Sequence, residues 1–467
     1  MDSVAQASSP ALQWLPDQAN NQLMNRRQFI ESIGGAAVTA GALTSTALRA
    51  AAAEAAPFML SEQGCGRATG YAEANKIVTV GDRTHAAWLD SPTEGFRVRV
   101  RTLNRKTGEW SPAYTVGEGY DNHGGPALTV DSEGYLHIVY HPHHHAFRYR
   151  RSKRPNDASE WEEETQFGEK LTYPTLVCGP DNTLYFTARR SFKPKPWEVE
   201  LWSKKPGGDW TRQGAILRSR HRGYAHFQES LAWSPDHKTL HLCCRFHENS
   251  DRNAYGRLQT VAYMRSEDFG KTWRKSDGSK ITTPASVDDI EVLARGGVDK
   301  ERGLRVGCLG VDPKSGVPHL IYSVTEGGKG RTFLATPDGN GDWERTDLTA
   351  QLPTELRDQD LIMAGGLSFN KAGQLHGVAQ IQKAKEGEST WGNPSNEALR
   401  FVRDDKTGRF QFSFASKVNA KASNWLPNIE RATGFNRVTG RPGIIYTSGG
   451  PGEKNTQLLS NEVHWAG

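Results

Sequence analysis

The sequence predicts an all-β protein, a seven-bladed β-propeller of four-stranded antiparallel blades. Three observations predict it. One turn-and-strand unit recurs seven times in the 467 residues, glycine occurs 48 times, and an Asp-box turn lies in the middle of the chain. Repeated short hairpins separated by glycine-rich turns are typical of propellers and are not expected of helical proteins.

Each copy of the unit is a tight turn followed by a short apolar strand, and another apolar run precedes most copies. The seven strands that follow the turns are His85–Leu89, Leu136–Tyr140, Leu184–Ala188, Leu240–Cys244, Pro318–Tyr322, Leu375–Ala379 and Gly443–Tyr446. Strand, turn and strand make a β-hairpin. The space between copies leaves room for two more strands, such as Phe147–Arg151 and Trp161–Phe167. A long β-sandwich is the alternative, but seven copies of one hairpin favour the propeller.

The Asp-box is the segment Ser266–Trp273, which reads Ser-Glu-Asp-Phe-Gly-Lys-Thr-Trp. Asp268 and Gly270 are expected to shape a hairpin turn, and Trp273 is expected to pack beneath it. We interpret the segment as a structural turn between outer strands, not as a substrate site.

Residues 1–56 are expected to be an export leader, which leaves residues 57–467 for the propeller. The segment Asn25–Ile30 contains Arg26-Arg27, a twin-arginine signature, and a weakly apolar stretch and small residues follow it. The stretch Ile33–Leu48 is too short for a membrane span, which needs about 20 apolar residues. The sequence therefore predicts export by the twin-arginine pathway to the periplasm or the exterior, and no membrane span.

Composition restricts the other function classes only weakly. The formal net charge is +5 at pH 7, which suits an anionic partner but does not establish one. The five cysteines are an odd number and include no Cys-x-x-Cys pair, so no disulfide framework is expected. No basic stripe or nucleic-acid module is visible, so nucleic-acid binding has no support. We expect a monomer.

Candidate functional residues emerge from the symmetry of the hairpins. Residues at equal distances from a turn face each other across the two strands. By that symmetry the facing pairs at the open ends of three neighbouring hairpins are His123 with His143, Tyr173 with Arg189, His226 with His247, Gln228 with Arg245, and Tyr224 with Asn249. Cations and proton carriers gathered at one end predict a site for an anion and for acid–base chemistry. The simpler alternative for any one pair is a structural histidine.

The run His141–His145 contains four histidines around Pro142. Strand alternation places His143 on one face and His144 on the other, although Pro142 blurs that register. The turn symmetry favours His143, and His144 is kept as the second choice.

These residues resemble a known family. Asp121–Gly125, His141–His143, Thr172–Pro174 and Arg189, followed by the Asp-box, are similar to the corresponding segments of ulvan lyases and their propeller relatives, which cleave or hydrolyse rhamnosyl-glucuronate linkages. The resemblance is clear over residues ~60 to 290 and rests on the repeats elsewhere.

The resemblance implies a polysaccharide lyase that cleaves a 4-linked glucuronate or iduronate by β-elimination in an acidic polysaccharide such as ulvan. The residues it implies as catalytic are His123, His143, Tyr173 and Arg189. Those expected to bind substrate, from the resemblance and the turn symmetry together, are Tyr224, His226, Arg245, His247 and His144. No cofactor is expected for the chemistry. Some relatives hold a structural metal ion, zinc or calcium being the candidates here, with His247 and Cys308 or Cys244 as weak candidate ligands.

Elimination needs a cation on the uronate carboxylate, a base for the C5 proton and an acid for the leaving O4. Arg189 is suited to fork onto the carboxylate. Tyr173, if it lies beside Arg189, is expected to be biased toward phenolate and to act as base. His123 and His143 are the alternatives for either role, so base and acid stay unassigned at this point.

Three other functions compete with a lyase. A rhamnosyl-glucuronate hydrolase on the same scaffold is the nearest rival. A non-catalytic carbohydrate-binding propeller would present aromatic platforms, for which Trp391 and Trp425 are candidates. A sialidase would also carry Asp-boxes, but its early Arg-Ile-Pro strand is missing from this sequence.

Overall fold

The computed structural model describes residues 56–249, 256–383, 388–418, 422–438 and 440–467. Within these ranges the chain forms 33 β-strands and three short 3-10 helices, Val298–Lys300, Thr349–Gln351 and Thr354–Leu356, and no α-helix. The all-β prediction is therefore confirmed.

The strands follow one another along the chain with short connections. The first eleven are β1 (Phe58–Gly64), β2 (Ile77–Val80), β3 (Arg83–Asp90), β4 (Arg97–Asn104), β5 (Glu109–Trp110), β6 (Tyr114–Glu118), β7 (Ala127–Val130), β8 (Leu136–Tyr140), β9 (His145–Arg154), β10 (Asp157–Trp161) and β11 (Thr165–Cys178). The next eleven are β12 (Leu184–Arg190), β13 (Pro196–Lys204), β14 (Trp210–Arg222), β15 (Ala225–His226), β16 (Ser230–Trp233), β17 (Leu240–Glu248), β18 (Leu258–Ser266), β19 (Trp273–Arg274), β20 (Lys280–Ile281), β21 (Glu291–Gly296) and β22 (Arg302–Val306). The last eleven are β23 (Gly310–Val311), β24 (Pro318–Glu326), β25 (Lys329–Pro337), β26 (Trp343–Asp347), β27 (Asp360–Phe369), β28 (Leu375–Gln382), β29 (Glu397–Arg403), β30 (Phe410–Phe414), β31 (Asn424–Ile429), β32 (Ile444–Ser448) and β33 (Asn461–Ala466).

The strands form five sheets of nine, eight, seven, five and four strands, and neighbouring strands pair antiparallel. The two ends of the described chain lie in one sheet. The first strand, β1, pairs antiparallel with the last, β33, with Phe58 opposite Trp465 and Gly64 opposite Asn461. This pairing holds the N-terminal strand and the C-terminal strand together without a covalent link.

The strands predicted after the seven turns are all confirmed as strands. Six lie within β3, β8, β12, β17, β24 and β28, and the seventh overlaps β32, which begins one residue after the predicted start at Gly443. The tight turns predicted before these strands are built on aspartate side chains and glycine residues. At the β7–β8 turn, Asp131 Oδ1 accepts the backbone N–H of Tyr135 at 2.8 Å, and Gly134 has φ +88°, a conformation that favours glycine.

The Asp-box is confirmed as a structural turn. Asp268 Oδ1 accepts hydrogen bonds from the Ser266 hydroxyl and the Thr272 N–H, each at 2.8 Å, and Gly270 has φ +85°. Trp273 is 1% exposed and donates its indole N–H to the Gly270 carbonyl at 3.1 Å. The segment therefore stabilises the connection from β18 to β19.

Apolar side chains between neighbouring sheets form the core. The cluster beside the joined chain ends packs Trp88 of β3 against Ile138 of β8 and Val463 of β33, all of them fully buried. Burying a side chain of this size contributes about 1.5–3 kcal/mol, so such clusters hold the sheets against one another.

The histidines that open the repeated strands are structural. His137 of β8 shares a hydrogen bond with the Tyr149 hydroxyl at 2.8 Å, and His241 of β17 shares one with the Tyr263 hydroxyl at 2.7 Å. Both histidines are buried. In these two units the Leu-His start thus reflects the same packing contact with a tyrosine of the neighbouring strand.

The low pKa values of four buried histidines predict that acid destabilises the folded protein. Burial lowers the pKa of His85 to about 4, of His241 to about 3, and of His319 and His376 to about 4. The unfolded chain titrates these groups near pH 6.5, so below that pH the unfolded state binds protons that the folded state excludes. The free energy of unfolding is expected to fall as pH drops from 6.5 to 4, by up to about 3 kcal/mol per histidine.

Urea denaturation at pH 7 and pH 5 measures this effect. The His241→Gln variant is expected to show a smaller difference between the two pH values than the unchanged protein. Equal unfolding free energies at the two pH values would contradict the assignment.

All five cysteines are buried, and none of them is paired in a disulfide. Among the described residues no helix is long and apolar enough to cross a membrane. The leader predicted over residues 1–56 lies, apart from Ala56, outside the described residues.

Candidate active site

A cavity of about 530 Å³ opens where the candidate residues of three neighbouring hairpins meet. Seven of the nine predicted site residues line it: His123, His143, Tyr173, Tyr224, His226, Arg245 and His247. Arg189 and His144 lie behind its wall. The cavity is also lined by residues that the hairpin symmetry did not identify, chiefly Arg67, Tyr71, Arg305, Trp391 and Asn455.

Asp121 holds two histidines on one carboxylate. Its Oδ1 lies 3.1 Å from His123 Nδ1, and its Oδ2 lies 2.6 Å from His143 Nδ1. The two imidazole rings stack with centroids 3.9 Å apart, so the facing pair predicted from the turn symmetry is present. Burial opposes ionisation of Asp121, but the hydrogen bonds from His123 and His143 outweigh it and hold the pKa of this carboxyl well below its usual range.

An ionised Asp121 fixes the tautomer of His143. A carboxylate only accepts hydrogen bonds, so Nδ1 of His143 carries the proton and Nε2 keeps a lone pair. The His143 side chain is 19% exposed and lines the cavity, so Nε2 is the nitrogen left for a substrate. His143 is therefore arranged as a general base.

Arg67 occupies the other nitrogen of His123. Its guanidinium hydrogen bonds to His123 Nε2, and a guanidinium only donates, so this nitrogen is an acceptor and carries no proton. Burial, then the nearby Arg67 cation, lowers the pKa of His123 well below its usual range. His123 is thus neutral, and both of its ring nitrogens are hydrogen bonded. Its bond to Arg67 positions that guanidinium on the cavity wall.

Tyr173 departs by one residue from the predicted register. Thr172, not Tyr173, pairs with Arg189 across β11 and β12, because a β-bulge at Tyr173 with φ +63° interrupts the ladder. The bulge turns the ring into the cavity, where it meets His226 at a centroid distance of 4.2 Å and Tyr71 at 5.2 Å.

The phenolate expectation for Tyr173 is wrong. Burial raises its pKa well above the usual value, and the neighbouring Tyr224 and Tyr71 add to the rise. Arg189 and Arg67 act in the opposite direction and do not compensate. Desolvation outweighs the adjacent cations, so Tyr173 is a neutral phenol that is suited to donate a proton.

Arg189 is next to Tyr173 as predicted, but it lies on the side of the ring that faces away from the cavity. The guanidinium carbon lies 4.6 Å from the Tyr173 ring centre, 4.7 Å from that of Trp197 and 5.5 Å from that of Tyr224. The side chain is fully buried and does not line the cavity. The expectation that Arg189 forks onto a substrate carboxylate therefore has no support in this geometry, and Arg189 instead supports Tyr173 by cation–π contacts.

His144, the second choice within the histidine run, shares this position behind the wall. Its Nδ1 lies 2.7 Å from the Ser191 hydroxyl, and its Nε2 lies 3.5 Å from Arg189 Nη2. Burial and the Arg189 cation lower its pKa to about 3. A substrate-binding role for His144 is not supported, because its ring contacts other side chains and not the cavity.

Two of the three pairs predicted for the fourth hairpin are present, whereas Gln228 lies in the gap between β15 and β16 and is not a ladder partner of Arg245. His226 pairs with His247 across β15 and β17, and the Asn249 N–H donates to the Tyr224 carbonyl at 3.2 Å. His226, Arg245 and His247 are buried in the wall of the cavity, and Tyr224 is half-buried there. Burial, and next the Arg245 cation, lower the pKa of both His226 and His247 well below their usual range.

A buried carboxyl group backs this hairpin. Arg245 Nη2 lies 3.3 Å from His226 Nδ1, and because an arginine only donates, the His226 proton lies on Nε2. That nitrogen faces Glu73 Oε1 at 3.7 Å. Burial raises the pKa of Glu73 to about 7, so the group carries little negative charge below neutral pH.

Three arginines line the cavity, namely Arg67, Arg245 and Arg305. Because His123, His226 and His247 have lowered pKa values and Glu73 has a raised one, these guanidinium groups are the main charges of the described wall. Such a wall favours an anionic ligand, and a guanidinium fork matches a carboxylate or a sulfate.

The predicted metal ligands do not come together. Cys308 is buried against Gly366 and Leu367 and is not grouped with His247 or Cys244. Among the described residues the one group with ligand spacing is Asp121, His123 and His143. It fits a metal ion poorly, because both Nδ1 atoms already hydrogen bond to Asp121 and the Arg67 cation lies against His123.

The two tryptophans proposed as platforms differ. Trp425 is fully buried in β31, so its proposed role as a platform is wrong. Trp391 packs edge-on against it at 4.7 Å and lines the cavity, where the Arg67 guanidinium lies 5.4 Å from its ring centre.

The chain is similar to known proteins in sequence and in fold. A family model described as BNR repeat-containing family member matches residues 71–351. Ulvan lyases from Alteromonas sp. (strain LOR) and Nonlabens ulvanivorans are 28% and 25% identical over 245 and 266 residues, which is 45% and 48% of this chain. This chain spans 49% and 55% of the length of those relatives, about half in each case. A solved structure described as a PL25 ulvan lyase bound to -[GlcA(1-4)Rha3S]- shares the fold with a TM-score of 0.64 at 16% identity, covering 88% of this chain and 95% of the other.

Proposed function

The chain belongs to the BNR repeat-containing family, and we propose that it is a polysaccharide lyase that cleaves a 4-linked uronate by β-elimination. The observation that carries the proposal is the cavity in which the Asp121–His143 pair, the neutral phenol of Tyr173 and three arginines converge. These groups supply the base, the acid and the carboxylate-binding cation that elimination requires.

The chemistry assigns one role to each group. The arginines on the cavity wall bind the uronate carboxylate and make the C5 proton more acidic. His143 Nε2 takes that proton, its electron pair forms the C4–C5 double bond, and the bond from C4 to O4 breaks. Tyr173 gives its phenolic proton to the leaving O4. The imidazolium and phenolate that remain exchange a proton through solvent, which restores both groups for the next turnover.

We propose ulvan, or a related rhamnose-uronate polysaccharide, as the substrate. Two curated relatives are ulvan lyases, and the solved structure of similar fold holds a glucuronate linked to a 3-sulfated rhamnose. The cationic wall of the cavity suits both the carboxylate and the sulfate of such a polymer.

We propose seven four-stranded blades for the fold. The pairing supports it, because successive strands make seven runs of four: β2–β3–β4–β6, β7–β8–β9–β10, β11–β12–β13–β14, β16–β17–β18–β19, β22–β24–β25–β26, β27–β28–β29–β30 and β31–β32–β33–β1. In the last run the N-terminal strand completes the C-terminal sheet, which would close a ring of blades.

The twin-arginine pattern at Arg26–Arg27 supports an exported enzyme, and we propose that it acts as a monomer.

Product analysis separates the proposal from a hydrolase on the same scaffold. Elimination creates an unsaturated uronate at the new non-reducing end, whereas hydrolysis adds one water to each cleaved bond. Mass spectrometry of oligosaccharides released from ulvan is expected to find the unsaturated series. A saturated, water-added series would replace the lyase by a hydrolase, and no released fragments would favour a binding propeller.

The cationic wall predicts a loss of affinity in the Arg305→Met variant. Arg305 lines the cavity, and a charge-assisted hydrogen bond contributes about 1.5–3 kcal/mol, so KM for an anionic polymer is expected to rise about 10-fold or more. Arg302→Met is the matched control, because Arg302 lies on the same strand but pairs with Glu326 at 2.7 Å on the exposed side. Equal KM values in the two variants would exclude Arg305 from binding.

A further inference from the structure

Tyr120 is an exposed aromatic residue next to Asp121, the carboxylate that positions His143. Its side chain is 48% exposed, which makes it one of the few large apolar or aromatic side chains that the described surface leaves open. It directly precedes Asp121, whose carboxylate holds His123 and His143. The Tyr120 ring is therefore on the surface, and the next residue in the chain holds the histidine proposed as the base.

The ring is held in place from one side. Its centroid lies 4.1 Å from that of His145 and 6.1 Å from that of His141. The backbone N–H of Tyr120 donates to the His141 carbonyl at 2.8 Å, and His145 Nδ1 lies 2.7 Å from the His143 carbonyl. Tyr120 and His145 thus form a platform, called here the Tyr120 platform, that is fixed to the histidine run by hydrogen bonds.

The platform adjoins the cavity rim on two sides. The His145 ring is anchored on the backbone of His143, which lines the cavity. The next residue but one after Tyr120 is Asn122, whose N–H donates to the Asn455 carbonyl at 3.0 Å, and Asn455 lines the cavity as well. A polymer that leaves the cavity across this part of the rim would meet the platform.

We propose that the Tyr120 platform is a distal saccharide-binding subsite, which stacks on a pyranose ring of the same polysaccharide chain whose uronate is cleaved in the cavity. The proposal rests on the proposed function and extends it to the part of the substrate outside the cavity. An aromatic ring presents a flat apolar face to the C–H groups of a sugar, and the Tyr120 hydroxyl can still hydrogen bond to its edge. The patch is one ring wide, which suits a sugar and is too small for a protein interface of about 1,000 Å² or more.

Binding energy from a remote ring improves turnover of long substrates over short ones. In the Tyr120→Ala variant the ratio of kcat/KM on ulvan polymer to that on the shortest cleavable oligosaccharide is expected to fall about 5-fold, the size of one aromatic contact. Tyr120→Phe keeps the ring and is expected to keep most of that ratio. Phe269→Ala is the matched control, because Phe269 is a 41% exposed aromatic on the Asp-box turn and does not line the cavity.

Affinity electrophoresis in gels containing ulvan gives a second readout that does not depend on turnover. The unchanged protein and Phe269→Ala are expected to be retarded more than Tyr120→Ala. If Tyr120→Ala behaves like Phe269→Ala in both assays while the unchanged protein cleaves ulvan, the subsite is wrong and the lyase stands. If ulvan is not cleaved but Tyr120→Ala alone loses retardation, the subsite stands and the lyase is wrong. If no protein is retarded or active, both are overturned.

Discussion

Replacing Tyr173 by phenylalanine is expected to lower kcat on ulvan by about 10²–10⁴-fold, the usual contribution of a general acid. The substitution removes the phenolic proton that O4 needs and keeps the ring that packs against His226 and Tyr71. Because Arg189 stacks on the ring and not on the hydroxyl, its cation–π contact should survive, and the fold with it. KM is expected to change by much less than kcat.

Tyr135→Phe is the control for this loss. Tyr135 also carries an arginine over its ring, Arg151 at 3.4 Å, but it lies on the β7–β8 turn and does not line the cavity. Its variant is expected to retain full activity. A Tyr173→Phe enzyme that turns over ulvan at the rate of Tyr135→Phe would remove Tyr173 from the chemistry and leave the acid unassigned.

Replacing His143 by alanine is expected to cause a loss of similar size, about 10²–10⁴-fold in kcat, because no other described group on the cavity wall combines a free lone pair with an ionised partner. His123 does not substitute for it, since Arg67 occupies its Nε2. At high concentrations imidazole is expected to restore part of the lost rate by entering the space left by the ring. His464→Ala, which removes a histidine paired with Glu462 outside the cavity, is the control.

The pair of histidines also allows a sharper comparison. His123→Ala removes the residue that positions Arg67 but not the proposed base, so it is expected to raise KM as well as lower kcat. The loss in His143→Ala is expected in kcat, and imidazole should rescue this variant alone. If imidazole rescues His123→Ala instead, the roles of the two histidines are exchanged and Arg67 must leave Nε2 when substrate binds.

Hairpin symmetry predicted the site where the strands are regular. The β15–β17 and β16–β17 pairs keep one common register, so counting from the turn placed His226 opposite His247 correctly. At Tyr173 the same count fails by one residue, because the bulge there shifts the ladder. A bulge depends on the whole sheet, and the local sequence Thr-Tyr-Pro does not specify it.

Three of the residues that sequence reasoning missed share a location. Arg67, Tyr71 and Glu73 lie between β1 and β2, where the chain passes from the first strand into the repeats and no turn symmetry applies. Arg67 and Tyr71 line the cavity, and the strand before them, β1, pairs with β33 at the other end of the described chain. A contact of that sequence separation is invisible to any reasoning from local pattern.

The reversed expectation for Tyr173 has a different cause. The sequence indicated a neighbouring cation, which is present, but it did not indicate the extent of burial. Desolvation of a phenolate among Tyr71, Tyr224 and other ring systems outweighs the attraction of Arg189. The same burial places Arg189 behind the wall, so the carboxylate-binding cations had to be found among Arg67, Arg245 and Arg305 in the structure.

Absorbance at the band of unsaturated uronates measures β-elimination by this protein directly. Ulvan is incubated with the purified protein lacking residues 1–56, and with its Tyr173→Phe and Tyr135→Phe variants. A steady rise is expected for the unchanged protein and for Tyr135→Phe, and at most about 1% of that rate is expected for Tyr173→Phe. New reducing ends without a rise in absorbance, or an equal rise in all three proteins, would contradict an elimination carried out by this cavity.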